Sequence, residues 1–148
     1  MTGAPQLPPA PNPALLPVLA TVVYVAGVVG VWGGLSLLLD RDVVDYADAG
    51  PLLGPAMVAT AAVVTLLVLL RTRGARGPWL GAVVAVVGSG FGMLAAAGIG
   101  YGLEAVPHFA ISPFVPAAAV LSGVIVVGTW AVRPTSDHRP PTAESFDR

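Results

Sequence analysis

The chain has 148 residues, of which 55% are hydrophobic and only 10% are charged. Soluble domains carry about 25% charged residues, so this composition excludes an ordinary soluble domain and predicts a single-domain integral membrane protein. The formal net charge is −1 and there is no cysteine, which excludes a strong basic field for nucleic acid, disulfides and thiolate metal sites. All seven basic residues are arginine. Together with abundant alanine, glycine, valine and proline, this bias indicates a bacterial genome rich in G and C.

An N-terminal tail and a first apolar run open the chain. Residues 1–13 contain five prolines and no charged side chain, which predicts an extended or disordered cytoplasmic tail. The apolar run over about 17–39 follows no Lys or Arg. It also exceeds the roughly 7–15 apolar residues of a signal peptide, so we expect a retained transmembrane helix.

Three further apolar runs follow, over about 52–70, 79–101 and 114–132. Each is close to the roughly 20 residues that cross the hydrocarbon core of a bilayer. Residues 133–148 are polar and contain three prolines, which predicts a disordered cytoplasmic tail. We therefore predict an all-α membrane protein in which residues 14–132 form an antiparallel bundle of four transmembrane helices.

Prolines mark the expected beginnings of two helices. Pro51 suits the first position of the second helix, and Pro55 would then make that helix begin later or bend. Ser112 followed by Pro113 predicts an N-cap and the first residue of the last helix.

The arginines predict the orientation in the membrane. One side of the bundle collects most of them, in the second link and after the last helix: Arg71, Arg73, Arg76, Arg133 and Arg139. The opposite side has only Arg41. The positive-inside rule therefore places both termini in the cytoplasm, with the protein in the cell's inner (plasma) membrane. Aromatic residues agree. Trp79 and Trp130 are expected at the inner boundary, and Tyr101, Phe109 and Phe114 at the outer one.

Small residues recur at helical spacing and predict packing faces. The third helix is rich in glycine, and we expect the other helices to pack on it. One stripe on it consists of Gly88, Gly92, Ala96 and Gly100, and a neighbouring one of Gly81, Ala85 and Ser89. On the first helix, Gly30 and Gly34 share a face and form a candidate contact for the third helix. The simplest interpretation is packing of the first and fourth helices on the third. The functional alternative is self-association or docking of a partner.

The four apolar runs contain no ionisable residue. Ionisable side chains inside a membrane mark ion paths, proton relays and substrate sites, so their absence argues against a proton-coupled pump, a redox protein with buried His ligands and an intramembrane protease. The polar residues of the runs are mostly hydroxyls that can bond to their own helix. No Ser/His/Asp arrangement and no P-loop lysine is present on a rigid frame. We expect no enzyme and no cofactor.

One acidic cluster is a candidate metal site. Its members lie in the first and third links: Asp40, Asp45, Asp48, Glu104 and His108. Carboxylates with an imidazole suit a divalent cation, but no spacing here matches a known ligand loop. Arg41 partly neutralises the cluster, and Pro107 argues against a continuous helix between Glu104 and His108. We expect an acidic solvated loop and no metal.

One stretch resembles a known family. The segment VWGGLSLLLDRDVVDYADAGPLLGP, residues 31–55, is similar to an uncharacterised actinobacterial family with four transmembrane helices and unknown function. The resemblance implies fold and membrane location, with no activity or catalytic residues. Small multidrug-resistance transporters are also short four-helix proteins, but they need a membrane-embedded glutamate that the first helix lacks.

The sequence is consistent with two functional hypotheses. The leading hypothesis is a non-enzymatic membrane protein that acts by association, as an accessory subunit or scaffold, through small-residue helix faces. The alternative is a small oligomeric channel or carrier for a neutral or lipophilic solute, with a pore lined by hydroxyls. The expected partners are the lipid bilayer and either another protein or further copies of this chain, without nucleic acid.

Overall fold

The computed structural model describes residues 12, 14–44, 50–72 and 77–132, and the structural statements below concern these residues. They form five helices and no strand: α1 Leu15–Leu39, α2 Leu53–Arg71, α3 Trp79–Tyr101, α4 Ala105–Ile111 and α5 Phe114–Ala131. The four long helices have 18 to 25 residues and are apolar enough to cross a membrane. This confirms the all-α fold with four spans, and each bound lies within two residues of its expected position.

Prolines are placed where they cost the helices least. The third residue of α1, α2, α4 and α5 is proline in each case: Pro17, Pro55, Pro107 and Pro116. The first N–H groups of a helix have no partner within it, so a missing N–H there breaks no hydrogen bond.

The structure corrects three expectations about prolines. Pro107 does not interrupt a helix, because it lies in the first turn of α4, so that expectation is wrong. Pro51 does not begin α2 either; it lies in the turn before Leu53. The last helix begins at Phe114 with Pro113 as its N-cap, so the expected N-cap at Ser112 and first helical residue at Pro113 are each wrong by one position. Ser112 is extended, and its Oγ accepts a long hydrogen bond of 3.5 Å from the N–H of Phe114.

The four long helices form an antiparallel ring in the order α1, α2, α3, α5. Helix α3 packs against α2 and α5, while α1 packs against α5 and α2. No Cα atom of α1 lies within 8 Å of α3, because the two helices are diagonal to each other. The expectation that the first helix packs on the third is therefore wrong, whereas the last helix does pack on it.

The core fills the centre of this ring. Near the end that holds residues 40–44 and 102–113, which we call the loop end, Tyr24, Trp32, Met93 and Phe114 are buried together with Phe109 of α4. Phe109 and Phe114 are 2% and 4% exposed, so their expected place in an outer aromatic belt is wrong. A second cluster, which includes Leu69, Ala85 and Val126, lies toward the opposite end, which we call the tail end.

The outer surface of the bundle is apolar. Only 28% to 39% of the residues in the apolar window of each long helix are buried within the fold. Many of the remaining valines and leucines, together with Phe91, are exposed along all four long helices, and soluble proteins rarely expose such continuous apolar surface. Lipid is the environment that this surface requires, and the chain is a multi-pass membrane protein.

Candidate functional site

The small-residue stripe of α3 faces α2. A Cβ atom built on Gly88 would lie 3.0 Å from Val64 Cγ1, and one on Gly92 would lie 3.1 Å from Thr60 Cγ2. Gly100 lies farther from its neighbour, with its Cβ position 4.0 Å from Leu53 Cδ1. Ala96 is half-buried against the core of the loop end. The stripe is thus used inside the fold, against a helix other than those expected.

The neighbouring stripe of α3 faces α5. Gly81, Ala85 and Ser89 are all buried there, and Ser89 Oγ lies 3.0 Å from Ser122 Oγ across the interface. Ser122 Oγ also donates to the carbonyl of Ala119 at 2.7 Å. Beside this pair, a Cβ atom on Gly123 would come within 2.6 Å of Val86 Cγ2. The four-residue spacing of Ala119 and Gly123 is the sequence signal for this contact, and our sequence analysis did not use it.

Helix α1 is held on α5 by two aromatic side chains that our sequence analysis did not assign. The indole Nε1 of Trp32 donates to the carbonyl of Phe114 at 2.8 Å, and the two rings meet edge to face at 6.3 Å. The hydroxyl of Tyr24 donates to the carbonyl of Ala118 at 3.3 Å. These residues, with Val28, follow four-residue spacing and define the face of α1 that points into the bundle.

Three of the four glycines of α1 lie away from this face, whereas a Cβ atom on Gly27 would lie 2.9 Å from Leu121 Cδ2 of α5. A Cβ atom on Gly30, Gly33 or Gly34 would meet no atom within 4 Å, and Ala26 beside them is exposed. The expected contact of Gly30 and Gly34 with the third helix is therefore absent from the fold. The reason is angular: at about 100° per residue, both glycines lie roughly 200–240° around the helix from buried Val28. We call Ala26, Gly30, Gly33 and Gly34 the glycine face.

A wide cavity lies between α1 and α2 at the loop end. Its volume is about 910 Å³. It is lined by α1 residues between Val25 and Ser36, by α2 residues between Gly54 and Ala59, and by residues of the link between the two helices, including Asp42. We call it the α1–α2 groove. Gly33 lies on its edge, where the groove meets the glycine face.

The acidic cluster does not assemble into a metal site in the described part of the chain. Asp45 and Asp48 lie outside the described residues. Asp40 ends α1 in a left-handed conformation with φ of 48°, whereas Glu104 precedes α4. No three His, Asp or Glu side chains among the described residues are placed to hold a cation.

Polar groups do meet at the loop end in another combination. Arg41, Asp42, His108 and Ser112 line a small cavity of about 170 Å³ beside α4. The ring of His108 packs edge to face on Phe109, with centroids 5.5 Å apart. Nearby, the hydroxyl of Tyr101 accepts a hydrogen bond from the N–H of Gly50 at 2.6 Å, which ties α3 to the link after α1.

Hydroxyl groups within the helices bond mostly to their own backbone, as expected. Thr21, Thr60 and Thr65 each donate to the carbonyl four residues earlier, at 2.8 to 2.9 Å. Thr129 donates to the carbonyl of Val126 at 2.9 Å. In the described residues every buried side-chain nitrogen and oxygen has a partner. The buried polar side chains of the described bundle therefore make their hydrogen bonds within the protein.

The fold and its surfaces define a multi-pass helical membrane protein whose described surface includes an exposed glycine face and an apolar groove. The chain belongs to DUF6121, a family of unknown function, whose profile matches residues 12–145. This confirms the expected membership of a family without an assigned function. No characterised protein and no solved structure matches the chain.

Proposed function

We propose that this protein acts by association within the bacterial plasma membrane, as an accessory subunit or scaffold that packs on a transmembrane helix of a partner protein. It performs no catalysis of its own. The observation that carries the proposal is the glycine face of α1, where three glycines within five residues meet no atom of the fold.

The energetics of helices in lipid support this role. Lipid chains are as apolar as leucine, so helices associate through close packing, and small residues make close packing possible. Each glycine costs a helix about 1 kcal/mol relative to alanine. On α3 contacts with α2 offset that cost, but Gly30, Gly33 and Gly34 make no such helix contact within the fold. A partner helix lying on the glycine face would supply the missing contact.

The orientation remains part of the proposal. Arg71 lies at the tail end of α2, and Arg73, Arg76 and Arg133 lie outside the described residues. The tail end thus adjoins most of the arginines of the chain, which supports cytoplasmic termini. Trp79 at this end is 74% exposed and Trp130 is 41% exposed, as side chains at a membrane boundary are.

The channel alternative has less support. A pore formed between copies of the chain would need hydroxyls on the outer surface of each bundle. Thr65, Ser89 and Ser122 are instead fully buried, and each lies in hydrogen-bonding distance of a backbone carbonyl. The interior of one bundle offers no pore either, because Tyr24 and Met93 fill it.

The test is extraction of tagged protein in mild detergent, followed by native mass measurement and identification of every co-purifying chain. Wild type is expected to carry a different protein in fixed stoichiometry. Gly30→Leu with Gly34→Leu should lower its recovery at least tenfold, because leucine holds the partner helix away from α1. The matched control is Gly128→Leu with Ala95→Leu, since both positions are exposed and Gly128 also meets no atom within 4 Å. The control should keep the partner.

Two results would overturn the proposal. One is full recovery of the partner with the glycine-face variant while both proteins stay folded. The other is a wild-type protein that purifies only with copies of itself and conducts a solute into vesicles, which would establish the channel alternative.

A further inference from the structure

The α1–α2 groove extends over one leaflet of the bilayer. Along α1 its lining runs from Val25 to Ser36, which is about 16 Å at roughly 1.5 Å per residue. Half of a hydrocarbon core of about 30 Å is about 15 Å. Since α1 runs from Leu15 to Leu39, Val25 is close to its midpoint and Ser36 is close to its loop end. The groove therefore reaches from the middle of the membrane to one surface.

The residues that line the groove change from apolar to polar along this length, from the middle of the membrane to the loop end. Val25, Val29 and Val58 line the deeper part, and polar groups of Ser36 and Asp42 lie at the loop end. Beyond Val25, toward the tail end, the space between α1 and α2 continues only as a separate cavity of about 410 Å³. This is less than half of the 910 Å³ of the groove. The groove thus occupies one half of the membrane, whereas a partner helix that crosses the membrane would extend over its whole thickness.

We propose that the α1–α2 groove binds a phospholipid, with one acyl chain between α1 and α2 and the headgroup at the loop end beside Ser36 and Asp42. Both walls are membrane-spanning helices, so the groove opens onto the hydrocarbon from which a chain enters. An apolar channel that ends at polar groups has the polarity profile of one lipid molecule.

A charge at the loop end selects the headgroup. Among the described residues that line the groove, Asp42 alone is charged, and it is negative. Its carboxylate repels an anionic headgroup. The same carboxylate attracts the amine of a zwitterionic headgroup. The site therefore prefers a zwitterionic, amine-bearing phospholipid.

The experiment is native mass spectrometry of the full-length protein in mild detergent, with retained lipids identified by mass. Wild type is expected to retain one phospholipid per chain. Val29→Phe with Ala59→Phe should lower that occupancy at least fivefold, because both residues line the groove and are exposed within it. The matched control is Val63→Phe with Ala95→Phe, at exposed positions that line neither this groove nor its continuation. The control should retain the lipid.

Headgroup preference is read after reconstitution into vesicles of equal phosphatidylethanolamine and phosphatidylglycerol. The retained phosphatidylethanolamine should exceed phosphatidylglycerol severalfold, and Asp42→Asn should reduce this preference. Should the phenylalanine variant fail to fold, Ala59→Leu against Ala95→Leu repeats the comparison with a smaller change.

Several results would overturn the lipid site. They are a wild type that retains no lipid, equal retention by the groove variant and its control, no preference between the two vesicle lipids, and a groove variant that loses a protein partner while keeping its lipid. The proposal stands apart from the association proposed above. Gly30→Leu with Gly34→Leu should keep the lipid, so either inference can fail without the other.

Discussion

Gly123 on α5 has the least room for a side chain among the described glycines. Its added Cβ would lie 2.6 Å from Val86 Cγ2 and 3.5 Å from the carbonyl oxygen of Ala82, both on α3. Carbon atoms do not approach as closely as 2.6 Å, so Gly123→Ala must move the side chain of Val86, whereas 3.5 Å from the Ala82 carbonyl is ordinary contact. Valine in a helix has one strongly preferred rotamer, so this movement has a cost.

The size of the effect follows from two opposing terms. Overpacking a close helix contact costs about 1–3 kcal/mol, and alanine returns up to about 1 kcal/mol of helix propensity. Gly123→Ala should therefore lower the free energy of unfolding by about 1–2 kcal/mol. Gly128→Ala, in the same helix and with no atom within 4 Å of its Cβ position, receives only the favourable propensity term.

The assay is reversible unfolding of the purified protein in mixed micelles of increasing SDS fraction, followed by circular dichroism. Gly123→Ala should unfold at lower SDS fraction than wild type, and Gly128→Ala at the same or a higher fraction. Val86→Ala added to Gly123→Ala removes the clashing methyl groups and should recover about 1 kcal/mol as a coupling energy. The packing account would be refuted by a Gly123→Ala protein as stable as the Gly128→Ala protein.

Two further predictions concern the aromatic hydrogen bonds. Trp32→Phe removes the donor to the Phe114 carbonyl and should lower the free energy of unfolding by about 1 kcal/mol in the same SDS assay. Trp79→Phe, at a side chain that is 74% exposed, should change nothing, and equal effects of the two variants would contradict the bond. Tyr101→Phe removes the acceptor of the Gly50 N–H, so exchange of the Gly50 amide measured by mass spectrometry or NMR should become faster. Unchanged exchange there would show that the bond does not hold the link in place.

The four spans could be predicted from the sequence because their signal is long and unambiguous. Uncharged apolar runs of about 20 residues have few other interpretations. The short helix α4 was not predicted, because a proline in the middle of a helix breaks it. Pro107 lies in the first turn of α4, where proline is tolerated. Whether a proline is third in a helix or in its middle depends on where the chain turns, which local sequence does not determine.

Which helices pack against each other was harder to predict than where each helix begins and ends in the sequence. The spacing of Gly88 and Gly92 identified a close approach, and the structure assigns that approach to α2. The same spacing at Gly30 and Gly34 marks a face without a neighbour in the fold. A stripe of small residues identifies the side of a helix that another helix can approach closely. Which helix lies there depends on larger side chains such as Tyr24 and Trp32, which turn their own face of α1 toward α5.

The most direct test of association is a crosslink from the glycine face itself. The chain has no cysteine, so Gly30→Cys places a single photoreactive label on this face, and Gly128→Cys places it on an exposed face of α5. After irradiation of native membranes, we expect the label at Gly30 to join one discrete protein, and the label at Gly128 to join lipid only. Lipid adducts alone at both positions would contradict the claim that this protein acts by packing on a partner helix.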